Sequence, residues 1–169
     1  MRRKLLLGIL VAAWLVAGVW FVATPYLSVW SLERAAKAGD AAGISEHVDF
    51  PALRASLQAN AAQAIKDLSS AFPNNPIAQM GASLAATLAQ NAIGAAVTPE
   101  TVALMLQGVP PDGAVGSPIR VSDFDLSMGY SAFSRFVVEA RRPGGSGSPL
   151  QLIFARSGIA DWRLTSVRW

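Results

Sequence analysis

Few residues in this chain have both the type and the spacing for chemistry, and the first group surrounds its single histidine. His47, with Glu46 and Asp49 close by, carries the groups of a general base or a metal ligand, and Arg54 could face Asp49 across a cleft. A metal centre needs three or four converging ligands. The same residues therefore also describe helix ends, with His47 on the surface and Asp49 acting as a cap just before Phe50-Pro51. Asp123 and Asp125 fall on one face of a strand, as paired acids do in hydrolytic sites, or as a solvated edge does. Tyr130 lies on that strand and is a further acid/base candidate. The last group is arginine: Arg120, Arg135, Arg141, Arg142, Arg156, Arg163 and Arg168 face four acids from Ile119 onward, with no lysine among them. Guanidinium groups suit bidentate contact with carboxylate or phosphate. Arg135, Arg141, Arg156 and Arg163 therefore form a candidate binding surface, or charges that keep a sheet soluble. His47, Asp49, Arg54 and Tyr130 form a second set of candidates, for a pocket. No P-loop, G-x-S-x-G or H-E-x-x-H pattern occurs. The absence of cysteine excludes thiolate metal sites and cysteine nucleophiles. No residue is assigned a catalytic or metal-binding role, and no cofactor is expected.

The elements that would position these groups begin with helices. Tyr26 to Lys37 reads as a short helix ended by Gly39, with Asp40 capping a brief second helix over Ala41 to His47. Pro51 suits the first turn of a third helix, in which Leu53, Leu57, Ala61, Ala64, Ile65 and Leu68 recur at spacings of three or four. Pro76 opens a fourth helix, with Ile77, Met80, Leu84 and Leu88 on one face. Thr98, Pro99 and Glu100 begin a fifth, where a carboxylate meets the positive end of the helix dipole. No charge occurs between Asp67 and Glu100. Two readings follow for the fourth helix: contact with a membrane, or an Ala- and Gly-rich helix packed inside the domain. Gln79, Ser83, Thr87, Gln90 and Asn91 make it a poor span, which favours the core helix. Whether residues 77–97 touch a membrane is not decided by the sequence.

Beyond Gln107 the pattern changes to period two. GVPPDGAVGSP is a turn-rich linker. Phe124, Leu126, Met128 and Tyr130 alternate with polar residues in a first strand, and Phe136, Val138 and Ala140 do so in a second. RPGGSGSP connects a hairpin, Leu150, Leu152 and Phe154 mark a third strand, and Asp161-Trp162-Arg163-Leu164 leads into a fourth. Helices first and a meander last predict an α+β domain, with several helices packed on a C-terminal antiparallel sheet of about four strands.

The strongest pattern lies at the start. Leu5 to Ala23 carries no charge, and nineteen helical residues reach about 28 Å, close to the hydrocarbon thickness of a bilayer. Arg2, Arg3 and Lys4 precede it, so the positive-inside rule keeps the N-terminus cytoplasmic and sends the remainder across. Pro25 stands where cleavage of a signal peptide would fall, which favours a retained anchor. Those three residues also account for the formal charge of +3, because from Leu5 onward the basic residues number 11, as many as the acidic ones. A balanced folded part argues against a nucleic-acid partner. Hydrophobic residues make up 52% and charged residues 15% of the chain, which fits one anchored domain. The expected division is residues 1–24 as cytoplasmic tip and transmembrane anchor, and 25–169 as an extracytoplasmic domain. Within the latter, 25–107 is helical, 108–118 is the linker and 119–169 is the sheet. The expected location is the bacterial inner membrane, single-pass, with the domain in the periplasm.

At VDFPALRASL (Val48 to Leu57) the chain resembles a known family. Together with Gly39-Asp40, VTPETVALML (Val97 to Leu106), SRFVVEA (Ser134 to Ala140) and RSGIADWRL (Arg156 to Leu164), it is similar to a bacterial membrane-anchored family catalogued only as a domain of unknown function. That resemblance implies architecture and placement, and supplies no catalytic residues. The order of elements, ending in a W-x-L strand, also resembles the cone-shaped nuclear-transport-factor-2-like or cystatin-like domains. That group spans enzymes, ligand binders and structural modules, so the likeness selects no function. Two functions are carried forward: a tethered binding or scaffolding module that meets a protein or anionic lipid, and a small enzyme with a cone-like pocket. The sequence leaves the oligomeric state open.

Overall fold

In a computed structural model of the chain, residues 2–106, 124–141, 143–144 and 148–168 are described. Five helices precede four strands: α1 (Arg2–Ala38), α2 (Ala41–His47), α3 (Phe50–Ser70), α4 (Pro76–Ala96) and α5 (Pro99–Leu106), then β1 (Asp125–Ala132), β2 (Arg135–Arg141), β3 (Leu150–Arg156) and β4 (Trp162–Arg168). The strands form one antiparallel sheet in the order β1-β2-β3-β4. The α+β class and the meander are those the sequence predicts. The expected linker 108–118, Asp123, Arg120 and Arg142 lie outside the described residues.

The short helix expected over Tyr26–Lys37 is the C-terminal end of α1, which runs through Pro25. A proline inside a helix removes one N–H, leaving the carbonyl four residues back without its partner. Here that carbonyl belongs to Phe21, and the Thr24 hydroxyl donates to it at 2.9 Å. Thr24 thus supplies the hydrogen bond that Pro25 cannot, as hydroxyl side chains do for prolines in membrane helices. The stretch Leu7–Ala38 is long and apolar enough to cross a membrane, and it is the one such helix among the described residues. At about 1.5 Å per residue, α1 is longer than the roughly 30 Å of a bilayer's hydrocarbon. Its C-terminal end is therefore available to pack on the domain.

Gly39 ends α1 in the left-handed conformation (φ 66°). Its N–H donates to the Ala36 carbonyl at 3.0 Å and that of Asp40 to Ala35 at 2.9 Å, a Schellman closure. Asp40 then turns its carboxylate to the N–H groups of Ala42 and Gly43 and starts α2. Between α2 and α3 the chain makes a single parallel bridge, Val48 to Leu164, along the free edge of β4. Further along that edge Ser56 and Asn60 of α3 donate to the Val167 carbonyl at 3.3 and 2.6 Å, and the Val167 N–H donates to Ser56 Oγ. A sheet edge that would otherwise offer unpaired backbone is thereby closed.

The core lies between the helices and one face of the sheet. Leu32, Ala35 and Ala36 of α1, Ile44, Val48, Leu53, Val97 and Ala103 meet Phe136, Val138, Phe154, Trp162 and Leu164. Register explains the choice: Phe136 sits opposite Phe154, which sits opposite Leu164, and cross-strand partners share a face.

The core-helix expectation for α4 is overturned, since none of its residues is buried. Ala78, Ala82, Ala86, Ala89 and Ile93 are its half-buried positions. Ile77, Met80, Leu84 and Leu88 are 60 to 76% exposed. The packed face is the alanine face, where small side chains let α3 approach, and Gln58 of α3 donates to the Gln90 carbonyl at 3.1 Å. The larger apolar residues follow a helical period, but it is the outward face they occupy.

Candidate functional site

Two of the sequence-derived pocket residues, Asp49 and Arg54, are committed to helix ends. Asp49 is the N-cap of α3: its Oδ1 accepts from the Ala52 N–H at 3.0 Å, and its own N–H donates to the Leu164 carbonyl at 2.9 Å. Arg54 does not pair with Asp49. Its Nε and Nη2 both donate to the Val97 carbonyl, at 3.1 and 2.9 Å, closing the C-terminal end of α4 where the helix dipole favours a cation. The guanidinium also lies 5.9 Å from the Phe50 ring. His47 ends α2 and is half-buried. Among the described residues no group of three or more His, Cys, Asp or Glu converges as a metal site, and the one ion pair is Lys37–Glu33. Substituting Asp49 by alanine should cost about 1 kcal/mol, the usual value of an N-cap, measured as a lower unfolding midpoint. Asp49→Asn, which can still accept the Ala52 N–H, should stay near the parent. Glu100, at the start of α5, has its carboxyl held below the ordinary glutamate range by its own backbone N–H and the Thr98 hydroxyl.

Tyr130 belongs to a different cluster, the one that joins sheet to helix. Its ring meets Phe136 edge-on at 5.3 Å and Trp162 at 5.7 Å, and Phe136 meets Tyr26 at 4.8 Å. Such offset contacts suit the quadrupoles of the rings. The Tyr130 hydroxyl donates to the Val22 carbonyl at 3.0 Å. Burial raises its phenol above the ordinary tyrosine range, with the charge of Arg156 opposing the shift. The hydroxyl is thus a donor rather than a base at neutral pH. Trp162, buried to within 1%, donates its indole N–H to Thr24 Oγ1 at 2.9 Å. Thr24 therefore accepts from the last strand and donates to the Phe21 carbonyl at the same point of α1.

Arg156 completes this junction. Its guanidinium carbon lies 3.9 Å from the centre of the Phe21 ring, 4.4 Å from Trp162 and 5.1 Å from Phe133. Nη1 donates to the Ile159 carbonyl at 2.6 Å, while the buried Nε has no hydrogen-bond partner. One candidate of the arginine surface is thus half-buried and committed to contacts within the chain. Arg135, Arg141 and Arg163 are exposed. Arg135 and Arg163 flank Ala155 in adjacent strands on the face away from the helices. That face is an open groove of about 430 Å³ whose lining includes Ser127, Arg135, Glu139, Gln151 and Arg168. Gln151 donates to Glu139 across its floor at 2.7 Å. The groove offers two cations, one carboxylate and hydroxyl groups to an extended polar ligand. No local pattern marks Thr24 or Trp162 for the junction; a Thr-Pro step inside a long apolar helix is the available sign.

The model of a protein family of unknown function (DUF2939) matches residues 14–105. The chain belongs to this family. The match takes in the outer part of the apolar run, α2, α3, α4 and nearly all of α5, and so includes the VDFPALR stretch; the sheet, with SRFVVEA and RSGIADWRL, lies beyond it. No curated protein and no solved structure matches the chain. DUF2939 membership brings no activity with it, so the chemistry has to be read from the residues themselves.

Proposed function

We propose that this member of the family is a single-pass protein of the bacterial inner membrane whose domain binds or scaffolds a partner on the periplasmic side. Support for the placement comes from the charge-free run of α1 behind Arg2, Arg3 and Lys4. The observation that carries the binding role is the division of labour among the polar residues. Asp49 and Arg54 are committed to helix ends, whereas Arg135, Arg163 and Arg168 project from the open sheet face. Exposed guanidiniums fit a carboxylate-rich peptide or another anionic group without any catalytic step.

The test compares Arg135→Ala/Arg163→Ala with His47→Ala. Loss of two charge-assisted contacts should weaken capture of the partner by crosslinking in intact cells about tenfold, while His47→Ala leaves capture unchanged. Loss on His47→Ala with the arginine pair silent would remove the binding reading and point instead to acid/base chemistry near α2.

A further inference from the structure

The sheet is fastened to α1 where the span-length stretch of residues 5–23 gives way to the part of the helix that packs on the domain. Phe21 and Val22 fall within the last turn of that stretch, which precedes the Thr24-Pro25 step. Phe133, in the turn between β1 and β2, stacks on Phe21 at 5.5 Å, and Tyr130 bonds to Val22. The turn between β3 and β4 is held at the same level, because Arg156, seated on Phe21, grips the Ile159 carbonyl. Both turns point large apolar side chains outward: Phe133 is 74% and Ile159 80% exposed. Just behind them on the open face stand the exposed Arg135 and Arg163, with Asp161 the acid in the same region.

We infer that these two turns form a membrane-contact edge, with Phe133 and Ile159 seated at the boundary of headgroups and acyl chains and Arg135 and Arg163 above it on the open face, clear of the lipid. The inference rests on the anchored reading above. Continuity with the anchor selects lipid as the occupant: side chains touching Phe21 share its depth, and Phe21 lies in the closing turn of the 5–23 stretch, whose length matches the bilayer's hydrocarbon. Exposed apolar tips at that depth match the boundary between headgroups and acyl chains. By contrast, the α3–α4 tip lies beyond the Val167 end of β4, opposite the Trp162 end that meets Thr24. The domain would then stand upright on the membrane with the α3–α4 hairpin outermost.

The chain has no cysteine, so single substitutions can carry an environment-sensitive dye. Full-length protein bearing Ile159→Cys, Ser134→Cys, Asn74→Cys or Trp14→Cys is labelled and reconstituted in vesicles of phosphatidylethanolamine and phosphatidylglycerol. Some vesicles contain lipid brominated near the ester carbonyl and others lipid brominated near the chain end. Ile159 and Ser134 are exposed turn positions whose substitution leaves the core intact. Labels there should lose about half their emission to the shallow bromine, as expected for side chains ~5–10 Å into the headgroup and acyl boundary. The label at Asn74, on the far tip, should be unaffected, and that at Trp14 should be quenched by the deep bromine. If Trp14 is quenched but 134 and 159 behave like 74, the contact edge is wrong while the anchor stands. A blue-shifted label at 159 that neither bromine reaches would mean protein covers the turn, and also overturns the inference. If Trp14 itself escapes quenching, the anchored reading fails and this inference with it.

Discussion

Trp162→Ala is expected to destabilise the protein by about 3–5 kcal/mol, the range for deleting a large buried aromatic ring. The ring is almost wholly inaccessible and contacts Tyr130 and Phe136 edge-on, so its loss leaves a cavity shared by strand, turn and helix. Arg156 loses one of the aromatic faces on which its charge rests. Because Trp162 joins the last strand to α1 across 138 residues, the variant should also loosen the link between anchor and sheet. Denaturant unfolding of the detergent-solubilised protein, followed by circular dichroism, measures the change. A cost below about 1 kcal/mol, the level of an ordinary surface substitution, would mean that the aromatic cluster is not the joint described.

The second large effect belongs to a small residue. Thr24→Val keeps shape but removes the hydroxyl, stranding two groups at once: the part-buried Phe21 carbonyl, which Pro25 cannot serve, and the buried Trp162 indole N–H. Each unsatisfied buried group costs about 1–3 kcal/mol, so a loss of about 2–4 kcal/mol is expected in the same unfolding assay. Thr24→Ser, which retains the oxygen, should stay within about 1 kcal/mol of the parent. In combination, Thr24→Val with Trp162→Phe should cost less than the two changes added, because phenylalanine leaves no N–H to strand. Residues in one hydrogen-bond network show such coupling in double-mutant cycles. Strict additivity would show that Thr24 and Trp162 do not interact.

Those two residues also mark where sequence reading stopped. Caps were legible because they depend on neighbours: Gly39-Asp40, Asp49 before Phe50-Pro51 and Thr98-Pro99 each act within a few residues. Strand alternation was legible for the same reason in β2, where Phe136, Val138 and Ala140 face the core; in β1 the apolar face of Leu126, Met128 and Tyr130 is instead 38 to 44% exposed. Continuity of α1 through Pro25 was not, since proline interrupts the helical hydrogen-bond ladder and its compensation includes a tryptophan from the far end of the chain. The orientation of α4 was hidden differently. Periodicity locates a face without saying which face is buried, and here alanines pack while Ile77, Met80, Leu84 and Leu88 stay outside. Among the candidate site residues, Asp49's cap follows from its position before a helix. Arg54's grip on Val97 and Arg156's stack on Phe21 depend on long-range contacts that no local pattern encodes.

Everything proposed about location and role depends on α1 staying in lipid while the sheet and the other helices lie outside the cytoplasm. A cysteine placed at Ala62, an exposed position on α3, reports this directly through a membrane-impermeant maleimide applied to cells whose outer membrane alone has been opened. Full labelling of a protein that remains in carbonate-washed membranes is the predicted result. Labelling that requires lysis of the inner membrane, or recovery of the protein in the soluble fraction, would contradict it.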